Sequence, residues 1–145
     1  MLGGGGVDGA IHRAAGPELL IECKTLKGCQ TGEAKITKGY NLLAKQIVHT
    51  VGPVWGGGGL EEAGLLKKCY QNSLTIALQQ GFKTIAFPAI STGVYRYPKQ
   101  GAMSIALNTI NEFVNKNKGI EKVILVFFSQ ADLELCQLIR DKSNI

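Results

Sequence analysis

The chain has 145 residues, a length typical of a single domain, and 45% of them are hydrophobic, as is usual for a globular protein. Sixteen lysines and arginines oppose eleven aspartates and glutamates, and the net charge of +5 favours anionic ligands by long-range attraction. The basic residues are scattered, however, and Lys67 and Lys68 form the only adjacent pair. A nucleic-acid surface usually shows a clustered basic stripe. Nucleic acid is therefore the less favoured class of partner.

The sequence carries no evident membrane segment and no metal-binding motif. Its longest uninterrupted apolar run, residues 123–128, is far too short to cross a bilayer, and residues 1–6 do not resemble a signal peptide. The four cysteines form no CxxC pair, and only two histidines could assist them. We therefore expect free, mostly buried thiols in a cytoplasmic protein with no membrane association, no metal site and no cofactor.

The first half of the chain is predicted to form two helices followed by two strands. Gly16-Pro17 separates the helices, since proline suits the first turn of a new helix. The strands are short, and a turn near Lys38-Gly39 joins them. The expected ranges are 7–15 and 17–26 for the helices, and 33–37 and 46–51 for the strands.

The second half is predicted to alternate helices with strands. Apolar residues spaced three and four apart indicate a helix over residues 61–80, which Gly81 ends, and another from Ala102 to Val114. The six apolar residues 123–128 show no alternation, which is typical of a strand buried on both faces of a parallel sheet. The remaining expected elements are a strand at 84–89 and a helix at 131–141. This order favours one three-layer α/β/α domain spanning residues 1–145.

The first candidate site is the glycine-rich segment LGGGGVDGAIH, which ends at His12. Glycines allow a backbone to approach a ligand closely, and free amides at the start of a helix attract phosphate oxygens. A loop that is merely flexible is the competing interpretation. Asp8 can simply stabilise the helix dipole. A carboxylate repels phosphate, however, so its place beside such a loop is better explained if it orients or deprotonates water, or binds a ribose hydroxyl.

The second candidate site is the loop PAISTGVYRYP, which follows the predicted strand at 84–89 and precedes the amphipathic helix. In α/β sheets, ligands bind at loops that leave the carboxyl ends of strands. Ser91, Thr92 and Gly93 offer small side chains and backbone donors suited to a diphosphate. Tyr95 and Tyr97 can pack on a ribose or cap the cleft.

Four segments resemble the macrodomain family in the family's order: GGGGVDGAIHRAAGPELL, TGEAKIT, IVHTVGPVW and FPAISTGVYRYP. Within that family they are most similar to bacterial O-acetyl-ADP-ribose deacetylases and MacroD-type ADP-ribosyl hydrolases. The resemblance covers nearly all of the chain. It implies a three-layer α/β/α fold with a mixed central sheet, and ADP-ribose as the ligand.

The resemblance also implies roles for individual residues. Asp8 matches the acidic residue that activates water or holds the distal ribose, and His12 stands one helical turn later, where a relay and simple helix packing are equally open. Phe128 falls where the family places an aromatic residue beside adenine, although a core role is nearly as well supported. Trp55 matches the family as a packing residue, and residues 56–59 receive no function. The implied backbone contacts come from Gly4, Gly5, Gly6 and Val7 at the distal ribose, and from Ser91, Thr92, Gly93, Val94 and Tyr95 at the diphosphate.

The sequence departs from the family at its start. Family members usually carry about 30 further residues, which include two strands, an adenine-binding Asp and an Asn-Ala-Ala-Asn motif. We therefore expect an N-terminally truncated macrodomain. Because the absent strands would leave sheet edges unpaired, a homodimer or strand exchange is an expected consequence.

The functional prediction is a hydrolase that acts on O-acetyl-ADP-ribose or removes mono-ADP-ribose from acidic side chains, with Asp8 orienting or activating water. Expected partners are therefore ADP-ribose, O-acetyl-ADP-ribose or an ADP-ribosylated protein. A reader that binds ADP-ribose without hydrolysis is the first alternative. An RNA-related regulatory role, based on the positive charge, is the second.

Overall fold

The computed structural model describes residues 1–59 and 61–145. Helices and strands follow one another along the chain in an order close to the predicted one. Two helices come first, then two strands, and helices alternate with strands thereafter. The elements are α1 (Gly6–Ala15), α2 (Pro17–Thr25), β1 (Ala34–Lys38), β2 (Gln46–Thr50), α3 (Glu62–Gln79), β3 (Thr84–Pro88), α4 (Lys99–Lys116), β4 (Lys122–Val126) and α5 (Gln130–Lys142).

Local chemistry explains where the helices begin and end. Gly16 has a φ of +93°, a conformation that ends α1 and is easy only for glycine, and Pro17 then opens α2. The Ser129 side chain accepts a hydrogen bond from the Asp132 amide at 3.2 Å and so caps α5. The predicted boundary between α1 and α2 depended on Gly16 and Pro17, whereas the Ser129 cap was not predicted.

The strands pair in both directions. β1 and β2 run antiparallel, with Ala34 opposite Thr50 and Lys38 opposite Gln46. β3 and β4 run parallel from the Thr84–Lys122 pair to the Pro88–Val126 pair. Within the described residues these are two separate two-stranded ladders, whereas one continuous mixed sheet was expected.

Helices cover both faces of the β1–β2 ladder. On one face, Ile47 packs against Ala15 and Leu19 of α1 and α2. Thr37 and His49 lie on the same face, and their Oγ1 and Nε2 atoms are 2.8 Å apart. The helix α3 also contacts both strands. Since side chains alternate between the two faces of a strand and α1 and α2 occupy the first face, α3 lies on the other face. This part of the molecule has the expected three layers.

The β3–β4 ladder is buried on one face. Phe87, Ile85 and Leu125 pack into an apolar cluster with α3 and α4. On the opposite face, Ile124 and Val126 are 41% and 53% exposed. The prediction that residues 123–128 are buried on both faces is therefore wrong, because no described helix covers the second face.

The cysteines are free, as expected, and Cys23, Cys69 and Cys136 are buried. None of the helices in the described part of the chain is both long and apolar enough to cross a bilayer.

One-sided burial predicts unequal mutational costs on the two faces of the β3–β4 ladder. Phe87→Ala removes a ring that is 4% exposed and should lower the free energy of unfolding by about 3–5 kcal/mol. Ile124→Thr keeps a β-branched residue on the open face and should change it by about 1 kcal/mol or less. Urea unfolding of both variants measures the difference, and Phe87→Leu provides a milder change on the buried face. Similar losses at Phe87 and Ile124 would contradict the one-sided arrangement.

Candidate functional site

Asp8 organises the first glycine-rich loop. Its Oδ2 atom accepts hydrogen bonds from the amides of Gly3 and Gly4 at 3.1 Å and 3.0 Å. The amino group of Met1 lies 3.4 Å from the same oxygen. The carboxylate in the first turn of α1 therefore holds the preceding segment folded back onto its own helix.

His12 joins the same cluster from the next turn of α1. Its Nε2 atom donates to the carbonyl oxygen of Met1 at 2.8 Å and lies 3.5 Å from Asp8 Oδ1. Helical spacing thus brings Asp8 and His12 together, as expected from their separation by four residues. Asp8 holds both ends of the segment 1–4, and His12 adds a second contact at Met1.

The electrostatic surroundings of Asp8 favour its ionised form. Burial raises the pKa of this carboxyl. The Gly4 amide, the chain's amino group and His12 lower the pKa, and their combined effect is larger than that of burial. The net pKa lies below the ordinary value, so Asp8 is a carboxylate at neutral pH.

The outer side of the first loop is open. A Cβ atom on Gly5 or Gly6 would meet no atom within 4 Å, and Val7 is 50% exposed. Gly9, by contrast, is enclosed, because a Cβ there would collide with the carbonyl oxygen of Gly4. The loop is fixed on its inner side and accessible on its outer side, which is the arrangement a backbone binding site requires.

The second loop is held by its own backbone. The Tyr97 amide donates to the Ser91 carbonyl at 2.9 Å, and the Arg96 amide donates to the Gly93 carbonyl at 2.9 Å. Ser91 and Arg96 have positive φ angles of 66° and 61°, which are costly for residues other than glycine. Strained backbone of this kind is often found at functional sites.

The tip of the second loop is as open as the outer side of the first. A Cβ on Gly93 would meet no atom within 4 Å, and the neighbouring Val94 is 92% exposed. Gly52 lies against the start of this loop, since a Cβ there would stand 2.6 Å from Ile90 Cγ2. The segment after β2 therefore meets the segment after β3.

Phe128 shares one edge of the ladder with the second loop. β3 and β4 are parallel, so the segments after Pro88 and Val126 leave at the same edge. The Phe128 ring is fully exposed there, which excludes the alternative of a core role. In residues 1–59 and 61–145, no hydrogen bond or ion pair joins the first loop to the second, or Phe128 to either.

Sequence reasoning missed the contribution of Trp55 to the second loop. Its amide donates to the Tyr95 carbonyl at 2.8 Å, and its ring lies 4.7 Å from the Tyr97 ring. These contacts join residues about 40 positions apart, so no local sequence pattern predicts them. The only available signal was a lone tryptophan in a chain with two tyrosines in its candidate ligand loop.

His49 lies in the interior and belongs to neither loop, although the charges of Asp8 and His12 in the first loop act on it. Its side chain lies 2.8 Å from Thr37 Oγ1 and 3.9 Å from Cys23 Sγ, and burial lowers its pKa. A neutral, hydrogen-bonded histidine inside the core has a packing role.

Comparisons with known proteins identify the family of this chain. The family model described as "Macro domain" matches residues 1–106. The chain belongs to the Macro domain family. A Macro domain-containing protein from Chlorobaculum tepidum is 59% identical over 137 residues, covering 94% of this chain and 80% of that protein. An O-acetyl-ADP-ribose deacetylase from Citrobacter rodentium is 51% identical over 141 residues, covering 94% of this chain and 80% of that protein.

A solved structure confirms the macrodomain fold. The Oceanobacillus iheyensis macrodomain with ADP superimposes with a TM-score of 0.95 at 43% identity, covering 99% of this chain and 78% of that one. The α/β macrodomain fold expected from the sequence is therefore confirmed. Among its described residues, the strands of this macrodomain form the two ladders given above.

The network around Asp8 predicts how acid affects this macrodomain. Because the folded-state pKa is the lower one, ionised Asp8 stabilises the fold above the unfolded-state pKa, and this contribution is lost as the pH falls through the folded-state pKa. Asp8→Asn lacks the contribution, so the gap in unfolding free energy between wild type and variant should shrink between about pH 5 and pH 2. NMR titration of the Asp8 carboxyl should give a midpoint below the ordinary value of an aspartate. A midpoint at or above that value would contradict the described network.

Proposed function

We propose that this macrodomain binds ADP-ribose and hydrolyses O-acetyl-ADP-ribose, or removes mono-ADP-ribose from acidic side chains. The observation that carries the proposal is the ionised carboxylate of Asp8 at the start of α1, beside a glycine loop whose outer backbone is open. The similarity to a protein named O-acetyl-ADP-ribose deacetylase supports the same reaction class.

Backbone groups of both loops are suited to the ligand. Gly5, Gly6 and Val7 form the exposed start of α1, where amides and the helix dipole attract anions. We assign this segment, with Gly4, to the distal ribose and its neighbouring phosphate. The second loop, with Ser91, Thr92, Gly93, Val94 and Tyr95, is assigned to the diphosphate. The net charge of +5 favours the approach of such an anion.

An aromatic face is available for the base of the nucleotide. Phe128 is fully exposed at the edge from which the second loop also leaves. A planar ring in that position can stack on adenine. We assign Phe128 to the adenine end of the ligand.

Asp8 is assigned to the reacting water. A lowered pKa keeps the carboxylate ionised but makes it a weaker base, which favours orienting the water over removing its proton. A phosphate oxygen of the substrate can then accept the proton that the attacking water loses, while loop amides stabilise the developing negative charge. His12, 3.5 Å from Oδ1, fixes the orientation of the carboxylate.

A reader that binds ADP-ribose without hydrolysis is the second candidate. The observation that favours it is the engagement of Asp8 Oδ2 by the Gly3 and Gly4 amides and the Met1 amino group. A carboxylate with these hydrogen bonds stabilises the conformation of the loop, and this role does not require catalysis. Binding and turnover must therefore be measured separately.

Valine substitutions test the binding site. Gly5 and Gly93 have no positive φ and no neighbour near a built Cβ, so Gly5→Val and Gly93→Val should leave the melting temperature nearly unchanged. A ligand lying on these backbones would collide with the new side chains, and we expect ADP-ribose affinity to fall by about tenfold or more, or at least 1.4 kcal/mol.

Gly64→Val is the matched control, because Gly64 lies in α3 and is equally open. Calorimetry with ADP-ribose measures all three variants. Wild-type affinity in both loop variants would refute the assignment of the loops to the ligand.

Asp8→Asn tests the hydrolytic role. Asparagine retains an acceptor for the Gly3 and Gly4 amides but not the negative charge, so the loop is preserved while the water loses its partner. We expect kcat to fall by about 10²–10⁴-fold with ADP-ribose affinity retained within a few-fold. Release of acetate from O-acetyl-ADP-ribose measures turnover.

The same change at the start of another helix, Asp132→Asn in α5, should leave turnover unaltered. Unchanged turnover in Asp8→Asn would rule out the proposed role of Asp8. Wild-type binding of ADP-ribose with no product would establish the reader instead.

A further inference from the structure

We infer that Trp55 positions the diphosphate-binding loop and that the second glycine run, residues 56–59, exists to hold Trp55 in place. The inference rests on the proposed function, because it concerns the loop assigned to the ligand. Trp55 is a positioning residue in this account, acting through Tyr95 and Tyr97 rather than by touching the ligand.

Trp55 holds the second loop at two points. Its amide donates to the Tyr95 carbonyl at 2.8 Å, which fixes the backbone next to Val94. Its ring lies 4.7 Å from the Tyr97 ring at an interplanar angle of 56°, a favourable tilted contact. Tyr97 is 5% exposed and in turn donates its amide to Ser91. The far end of the loop is thus tied to its beginning through a residue that Trp55 holds.

One residue of the second glycine run, Gly58, lies directly against the Trp55 ring. A Cβ on Gly58 would lie 3.0 Å from Trp55 Cη2, and Gly58 has a φ of +89°. Gly57 has a similar φ of +101°, but a Cβ there would meet nothing within 4 Å. Glycine is required at both positions by conformation, and at Gly58 by the ring as well. The run suggested no function in the sequence, and Gly58 is the residue in it that fits against the Trp55 ring.

Glu62 anchors the beginning of the second glycine run. It is 2% exposed in the first turn of α3, and its Oε1 atom accepts a hydrogen bond from the Gly56 amide at 2.8 Å. Burial, and then the charge of Glu62, raise the pKa of Tyr97, which places the carboxylate in the same small cluster. The start of the run is thus fixed on two sides, to the second loop through the Trp55 amide and to α3 through the Gly56 amide.

This arrangement matters for affinity because an exposed loop must be ordered before it can bind. Ser91 and Arg96 both have positive φ, so the conformation of the loop is costly and needs support from outside. A loop ordered in advance binds more tightly, since its entropy is not lost on binding. Trp55 and Tyr97 provide that support from the edge of the main apolar cluster.

Gly58→Val tests the inference, with Gly57→Val as its control. Both substitutions put a branched side chain at a positive φ, and only the first pushes on the Trp55 ring. We expect Gly58→Val to weaken ADP-ribose binding by about tenfold more than Gly57→Val, by calorimetry at a temperature where both are folded. Trp55 is the only tryptophan, so its emission reports directly whether the ring moves. Emission should shift to the red in Gly58→Val alone.

Trp55→Phe and Trp55→Ala provide a second comparison. Phenylalanine keeps a ring against Tyr97 and should retain affinity within about threefold, whereas alanine should lose about tenfold. Ile139→Ala, a truncation in the separate cluster of α4 and α5, should lower the melting temperature without changing the affinity. This control separates loop positioning from loss of stability.

The outcomes distinguish this inference from the proposed function. If wild type binds ADP-ribose, and Gly58→Val and Trp55→Ala bind equally well, the positioning role is overturned and the ligand assignment stands. If wild type fails to bind ADP-ribose, the proposed function falls and the inference falls with it. A loss confined to Gly58→Val and Trp55→Ala supports both.

Discussion

The apolar cluster between α3, α4 and the β3–β4 ladder supports both the fold and the candidate site. Leu66, Tyr70 and Leu74 of α3 meet Phe87 of β3, and the Tyr70 and Phe87 rings lie 5.0 Å apart. Tyr97 belongs to this same cluster although it stands at the end of the second loop. Tyr97 thus connects the packed core directly to the loop whose backbone is assigned to the ligand. Packing and binding are therefore coupled at Tyr97.

The two loops of this macrodomain achieve rigidity in different ways. The first is held from within by one charge, because Asp8 accepts two glycine amides and contacts His12. The second is held from outside, by Trp55 and by the core position of Tyr97. In the first loop the residue that fixes the backbone is also the candidate for the chemistry. In the second those two tasks fall to different residues.

The sequence predicted elements better than it predicted their surroundings. Gly16-Pro17 and Gly81 marked helix boundaries because proline and glycine act locally. The spacing of Asp8 and His12 predicted their contact for the same reason. The burial of residues 123–128 was predicted wrongly because apolar composition shows only what a strand can bury. In the described part of the chain, no helix covers Ile124 and Val126, which are exposed. Trp55 was overlooked because its partners are distant in sequence, and only the folded chain brings them together.

The open face of β4 gives the molecule a mixed surface. Ile124, Val126 and the fully exposed Phe128 form an apolar strip on a molecule whose net charge is +5. At low ionic strength the shared positive charge keeps copies apart. Added salt screens that repulsion over a Debye length of about 8 Å at 0.15 M but leaves the attraction between apolar strips intact. Colloidal stability of this macrodomain in a buffer is thus set by the balance between its lysines and one uncovered strand.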